Sequence, residues 1–170
     1  MRAKRSNSVA DARGAGDRLI TSGAVRISSP ATVDDGKWLS LRLRLWPHGS
    51  EAEYLREMAD ILARGHYVRL AFADDGSAIG FVEASKRVDY VNGTSSSPVI
   101  FLEGLYVEPA MRRKGIARAL VAGVEQWALA ERCAEIASDS PLDNVVAHAA
   151  HRAFGFEETE RVVYFRRALP

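Results

Sequence analysis

Residues 103–120 read EGLYVEPAMRRKGIARAL, and the remainder of the chain organises around them. An apolar alternating run over 99–107 ends at a turn marked by Pro109, and six residues later Gly115 opens a segment of helical periodicity. The pattern predicts a strand, a tight cationic loop and a helix start. Between strand and helix lie Arg112, Arg113, Lys114, Gly115, Ile116 and Ala117, where the first amides of a helix have no intrahelical partners. Those amides, the positive end of the helix macrodipole and three consecutive cations suit a pyrophosphate. A basic turn that is merely solvated fits the same six residues as well. Gly115 permits close backbone approach or a positive φ.

The better-known phosphate loops fail on spacing. No G-x-G-x-x-G follows a strand, and no G-x-x-x-x-G-K-[ST] occurs. The run from Arg112 to Ala117 reads R-x-x-G-x-A, which resembles the acetyl-CoA pyrophosphate signature R/Q-x-x-G-x-G/A of the GNAT N-acetyltransferases.

A chain of 170 residues with 47% apolar content predicts one domain with a proper core. No apolar run approaches the roughly 20 residues that span a bilayer, and the amino terminus lacks a secretory pattern, so a cytosolic protein is expected. Cys133 stands alone, which excludes an internal disulfide and predicts a small core residue. Residues 1–24 carry five Lys/Arg and two Asp/Glu, whereas the remainder carries 18 and 20, a net charge of −2. Such a body lacks the basic footprint of a nucleic-acid binder. The first 24 residues, rich in Ser, Gly, Ala and Arg, read as a disordered or vector-derived tail, and 25–170 as the domain.

In chain order, 24–28 predicts a strand, and Pro30 with 32–35 a turn and helix cap. Trp38, Leu41 and Leu45 share a helical face that Pro47 ends; Leu55, Met58, Ile61 and Leu62 mark a second helix over 51–64. Strands follow at 68–72 and 78–84 around the hairpin turn 74–77, then a polar loop over 87–98. Beyond the strand at 99–107 and a helix over 115–132, a short strand at 134–137 leads to Ser140, Pro141, Leu142 and Asp143. These read as a capping box with Pro at the first helical position, for a helix running to Phe154. A strand over 162–166 closes the sheet. The order β-α-α-β-β-β-α-β-α-β predicts a mixed sheet and an α/β or α+β fold.

Two carboxylates stand out for chemistry. An amine attacks a thioester only when uncharged, so a base is needed. By alternation Glu103 shares a face with Phe101, Leu105 and Val107, where a partnerless carboxylate would have its pKa raised toward general-base range. Gly104 is a candidate bulge that would turn Glu103 into a cleft, while an edge or surface glutamate fits as well. Asp139 falls at the carboxyl end of the next strand, where open α/β sheets carry ligands, although an ordinary turn aspartate is the competing reading. His148 and His151 lie three apart on a helix without further ligands, so no metal is expected. Trp46, Tyr67, Tyr90 and Tyr106 read as core or rim aromatics.

A narrower resemblance rests on RLRLWPHG at 42–49, ASKRVDYVNGTSSSPVIFLEGLYVEPAMRRKGIA at 84–117, ASDSPLDN at 137–144 and FGFEETERVVYFRR at 154–167. These stretches resemble the aminoglycoside 6′-N-acetyltransferases of bacterial resistance, over about residues 25 to 167. The resemblance implies the GNAT fold, a mixed sheet with helices on both faces whose central parallel strands splay to admit the pantetheine arm of acetyl-CoA. It also implies transfer of an acetyl group to the 6′-amine within a ternary complex, and a homodimer. Residue by residue, it implies substrate contacts at Trp46, Tyr90, Glu103, Asp139 and Glu160, the last from either subunit, with Glu103 assisting deprotonation through water. It implies acetyl-CoA contacts at the backbone of Leu105, Tyr106 and Val107, at the loop from Arg112 through Arg113, Lys114, Gly115, Ile116 and Ala117 to Arg118, and at Asn144.

The sequence departs from the family at His151, where many GNAT enzymes carry the tyrosine that protonates the leaving thiolate. That leaves the general acid open among His151, Tyr164 and solvent. His48-Gly49 and Val163-Tyr164-Phe165 also invert the expected order at the substrate rim. Two other functions fit the residues: a GNAT acting on a polyamine, an amino acid or a protein amine, and an acyl-CoA-binding module without chemistry.

Overall fold

The structure, a computed structural model, describes residues 25–30, 32 and 36–169. The tail read over 1–24 and most of the turn read over 32–35 lie outside them. Five strands form one sheet in the order β1 (Arg26–Ser28), β2 (Tyr67–Phe72), β3 (Ala78–Arg87), β4 (Val99–Val107) and β5 (Ile136–Ala137). Neighbours are antiparallel through β4, and β4 and β5 are parallel.

Helices cover both faces because the strands are apolar on both. Against one face lie α1 (Lys37–Leu45) and α2 (Glu51–Ala63), where Trp38, Leu41, Met58, Leu70 and Phe81 are wholly enclosed. Burial of each such side chain is worth about 1.5–3 kcal/mol. Against the other face lies α3 (Ile116–Ala130), whose Ile116, Leu120, Val124 and Ala128 pack with Val82, Ile100, Leu102 and Val107. Cys133 is buried in the same cluster, as expected. α2 is started by a capping box in which Ser50 accepts from the Glu53 amide and Glu53 accepts from the Ser50 amide.

Three sequence expectations are corrected. The last helix, α4 (Val145–Ala153), starts later than the Ser140–Asp143 reading implied: Asn144 is its cap, its side chain accepting from the Ala147 amide at 3.0 Å. The sheet has no strand over 162–166; residues 157–169 have no regular structure and are exposed. The physical reason is the edge itself, since β5 gives the ladder only Ile136 and Ala137. Third, β3 continues past Ala84 to Arg87, so Arg87, read as the start of the loop, belongs to the sheet.

Candidate active site

The register of β3 and β4 breaks at one place. Glu83 pairs with Gly104 and Ala84 with Leu102, so Glu103 is the extra residue of a β-bulge. The bulge reverses the alternation beyond it. Leu105 and Val107 pack toward α3 with Ile100 and Leu102, whereas Tyr106 joins the cluster under α1. The expectation that Glu103 shares an apolar face with Leu105 and Val107 is therefore corrected.

Glu103 is not a partnerless carboxylate either. Ser85 Oγ donates to its Oε1 at 2.5 Å, and Arg87 Nη2 donates to both carboxylate oxygens at 2.9 Å. The Arg87 guanidinium also lies over the Phe101 ring, 3.4 Å from its centroid. Ser85, Arg87 and Glu103 line a cavity of about 460 Å³ together with Tyr90, Asp89 and His66. Burial, then the charge of Arg64, hold the His66 imidazole below its usual pKa, with Glu103 pulling the other way. Sequence reasoning missed Ser85 and Arg87 because it ended β3 at Ala84; their alternation with Glu83 was the available signal.

Behind the bulge, the space left by Gly104 is filled by Trp46. A Cβ on Gly104 would lie 2.5 Å from Trp46 Cη2, a distance no side-chain carbon tolerates. Trp46 is held in turn by Tyr54, whose hydroxyl donates to its carbonyl at 2.5 Å, and by Arg42, whose guanidinium lies 5.1 Å from its ring. Arg42 is itself buried, bonded to Glu57 at 2.7 Å and placed with Nε 3.3 Å from Glu83 Oε1, close but not aligned for a hydrogen bond. Burial pushes the Glu83 carboxyl up to about 7, against the pull of Arg42 and of the Trp38 N–H. Neither Arg42 nor Glu83 was singled out from sequence, since both interrupt apolar patterns without a motif.

At the other end of β4 the cationic turn is open. Gly115 caps α3 in the left-handed conformation, φ 83°, with no side chain capping the helix, and a Cβ there would meet nothing within 4 Å. Three of the cations around it have partners nearby. Arg112 Nε donates to the Val107 carbonyl at 3.0 Å, Arg118 to the Ala153 carbonyl at 2.8 Å, and Lys114 lies beside Met111 Sδ. Arg113 also takes a positive φ of 65°. Bare amides at a helix start, ringed by cations, fit a diphosphate. The parallel strands share only Ile100–Ile136 and Phe101–Ala137, so Leu105, Tyr106 and Val107 lie beyond the ladder between them.

Asp139 follows β5, exposed, next to Ser138, whose hydroxyl donates to the Leu102 carbonyl at 3.1 Å. That bond ties the residue before Asp139 to the residue before Glu103. Glu160 is exposed on the terminal segment, but its neighbour Thr159 lies against Gly93 in the loop that carries Tyr90. His151 is engaged through both ring nitrogens, with the Ala147 carbonyl at 2.8 Å and Ser138 Oγ at 3.0 Å, whereas Tyr164 is 81% exposed. Among the described residues no group of three or more His, Cys, Asp or Glu is placed to hold a metal ion.

The Acetyltransferase (GNAT) family matches residues 36–156. The chain is 49% identical over 145 residues to "Aminoglycoside N(6′)-acetyltransferase type 1" of Acinetobacter haemolyticus, covering 85% of this chain and 98% of that protein. The crystal structure of aminoglycoside antibiotic 6′-N-acetyltransferase AAC(6′)-Ih from Acinetobacter baumannii is 46% identical, with a TM-score of 0.81 over 86% of this chain and 99% of that one. AAC(6′)-Iy in complex with the bisubstrate analogue CoA-S-monomethyl-acetylneamine is 42% identical, with a TM-score of 0.77 over 85% of this chain and 97% of that one. A GNAT sheet with its open cradle at the start of α3, and identity near one half to these proteins over most of the chain, make this chain a member of the GNAT acetyltransferase family, in the group of the aminoglycoside N(6′)-acetyltransferases.

Proposed function

We propose that residues 25–170 form a single catalytic domain that transfers the acetyl group of acetyl-CoA to the 6′-amine of aminoglycoside antibiotics and thereby confers resistance. The observation that carries this reading is one strand, β4, that leads from the bulged Glu103 in a cavity to an open cationic cradle at the start of α3. The names of the relatives supply the substrate class. Acetyl-CoA supplies the activated acyl group when bound. The loop from Arg112 to Arg118 would hold its diphosphate through main-chain amides, with Asn144 at the next helix start. The backbone of Leu105, Tyr106 and Val107 would bind the pantetheine arm and the acetyl carbonyl.

Glu103 would take a proton from the 6′-ammonium, through water, so that the amine lone pair attacks the thioester carbon. The C–N bond forms, the C–S bond breaks, and the thiolate leaves with a proton from the site or from solvent. Trp46, Tyr90, Asp139 and Glu160 would line the aminoglycoside, whose several ammonium groups suit carboxylates through charge-assisted hydrogen bonds. The amide product has lost one positive charge. Coenzyme A release with tobramycin, compared with an aminoglycoside lacking the 6′-amine, is the test: release with both, or with neither, overturns the assignment.

We further propose a cytoplasmic homodimer. Support comes from the terminal segment, where Val163, Tyr164 and Phe165 are 77%, 81% and 93% exposed, an apolar run that a second copy would cover. Glu160 on that segment would then reach a substrate site from either subunit. Light scattering of the full chain and of a chain ending at Phe156 tests it: a dimer that becomes a monomer is expected, and a monomeric full chain refutes it.

A further inference from the structure

The cavity proposed to take a polycation is lined by cations of its own. Arg64, Lys86 and Arg87 stand on its wall with only Asp89 and Glu103 to balance them. Lys86 is engaged by Glu131 at 3.0 Å. Arg87 is engaged by Glu103, the carboxylate that the reading above gives to the substrate amine.

We infer that Arg87 is a resident competitor for Glu103, which a substrate ammonium must displace, and that it selects polycationic acceptors over simple monoamines. The inference rests on the reading of Glu103 as a substrate contact. Its geometry is that of an occupied site. One guanidinium nitrogen reaches both oxygens of Glu103 at 2.9 Å, Ser85 takes a further lone pair of Oε1 at 2.5 Å, and the Phe101 ring supports the guanidinium plane at 3.4 Å. A carboxylate offers about four acceptor positions, so three of these bonds leave little room for an added ammonium.

The pair is also of the strength that a competitor needs. Arg87 and Glu103 are 39% and 34% exposed in their side chains, and ion pairs so open to water are weak. A ligand with several ammonium groups brings enough further contacts to displace Arg87. A ligand with one ammonium exchanges one cation for another and gains little. Arg87 thus lowers every acceptor's affinity by the same factor, the fraction of protein in which Glu103 is free; the selection is a threshold, since a polycation still binds after that loss and a weak, singly charged ligand falls below useful affinity.

Isothermal titration of wild type and Arg87→Gln with tobramycin and with methyl 6-amino-6-deoxyglucoside, a monoamine, provides the test. Arg87→Gln is expected to bind tobramycin about threefold to tenfold more tightly and to bind the monoamine measurably. Arg87→Lys, which keeps the charge, should stay near wild type. Unchanged or weaker binding of both ligands by Arg87→Gln, reproduced in Arg87→Ala, would overturn the inference and make Arg87 a support for Glu103. Wild-type turnover of tobramycin, measured alongside, separates the two levels. Its absence defeats the functional reading and the inference with it, whereas turnover without tightening defeats only the inference.

Discussion

The indole N–H of Trp38 donates to Glu83 Oε1 at 2.6 Å, joining α1 to the middle of β3 where neither residue meets water. Beside the same oxygen, with Nε at 3.3 Å, stands Arg42, which in turn lies over the rings of Trp46 and Tyr54. A buried acid thus sits two steps from Trp46, directly opposite the glycine that makes room for it.

Glu83 makes stability depend on pH in a defined direction. Burial raises its folded pKa from 4.5 to about 7, so between these values the folded state holds a proton that the unfolded state has lost. Stability is therefore greatest below about pH 4.5 as far as this group is concerned, falls as pH rises and levels off above about 7, a change of about 3 kcal/mol. Urea denaturation of wild type and Glu83→Gln across pH 5 to 8 measures it. The fall is expected in wild type only, and parallel curves would show that Glu83 ionises freely.

Gly104 admits no side chain. In Gly104→Ala the new methyl would meet Trp46 Cη2 at 2.5 Å and Cζ2 at 2.8 Å, so the ring must move. Overpacking of this kind costs about 1–3 kcal/mol. A lower melting temperature, altered tryptophan fluorescence and a raised KM for tobramycin are expected together; an unchanged KM would remove Trp46 from the substrate rim.

Gly115 supports the cradle by its backbone. With φ at 83° and open space around it, Gly115→Ala meets no clash, but puts a side chain in the left-handed region at a cost of about 1–2 kcal/mol and a methyl among the amides. Weaker coenzyme A binding with little change in tobramycin affinity is expected by titration. Equal coenzyme A affinity would place the diphosphate elsewhere.

Glu103→Gln removes the proposed base and leaves the bulge. Turnover of tobramycin should fall by about 10²–10⁴ at neutral pH while coenzyme A affinity stays close to wild type. Turnover within twofold of wild type would show that another group takes the proton.

Most of the fold was legible in the sequence because the signals were local. Alternation at 99–107, helical spacing from Ile116 and the turn at 74–77 each determine an element within a few residues. The last strand was not, because the apolar run at 162–165 suits a sheet edge without stating that the sheet offers one. The turn and helix start were legible from Arg112 to Ala117, and a bulge was expected one residue from where it falls, at Gly104 instead of Glu103. The partners of Glu103 were not, since Ser85 and Arg87 reach it across a ladder whose register depends on the bulge. Arg42 and Glu83 were hidden for a similar reason: 41 positions separate them, and only the packing of α1 on β3 brings them together.

Glu103 occupies the one surplus position in β4. If it is excised from the register, Leu102 and Gly104 become consecutive opposite Ala84 and Glu83, and the ladder is regular. The scaffold's architecture and its proposed base are thereby independent parts. A chain lacking residue 103 should fold and melt cooperatively by circular dichroism while turning over tobramycin no faster than Glu103→Gln, so a single codon separates the sheet from its proposed chemistry.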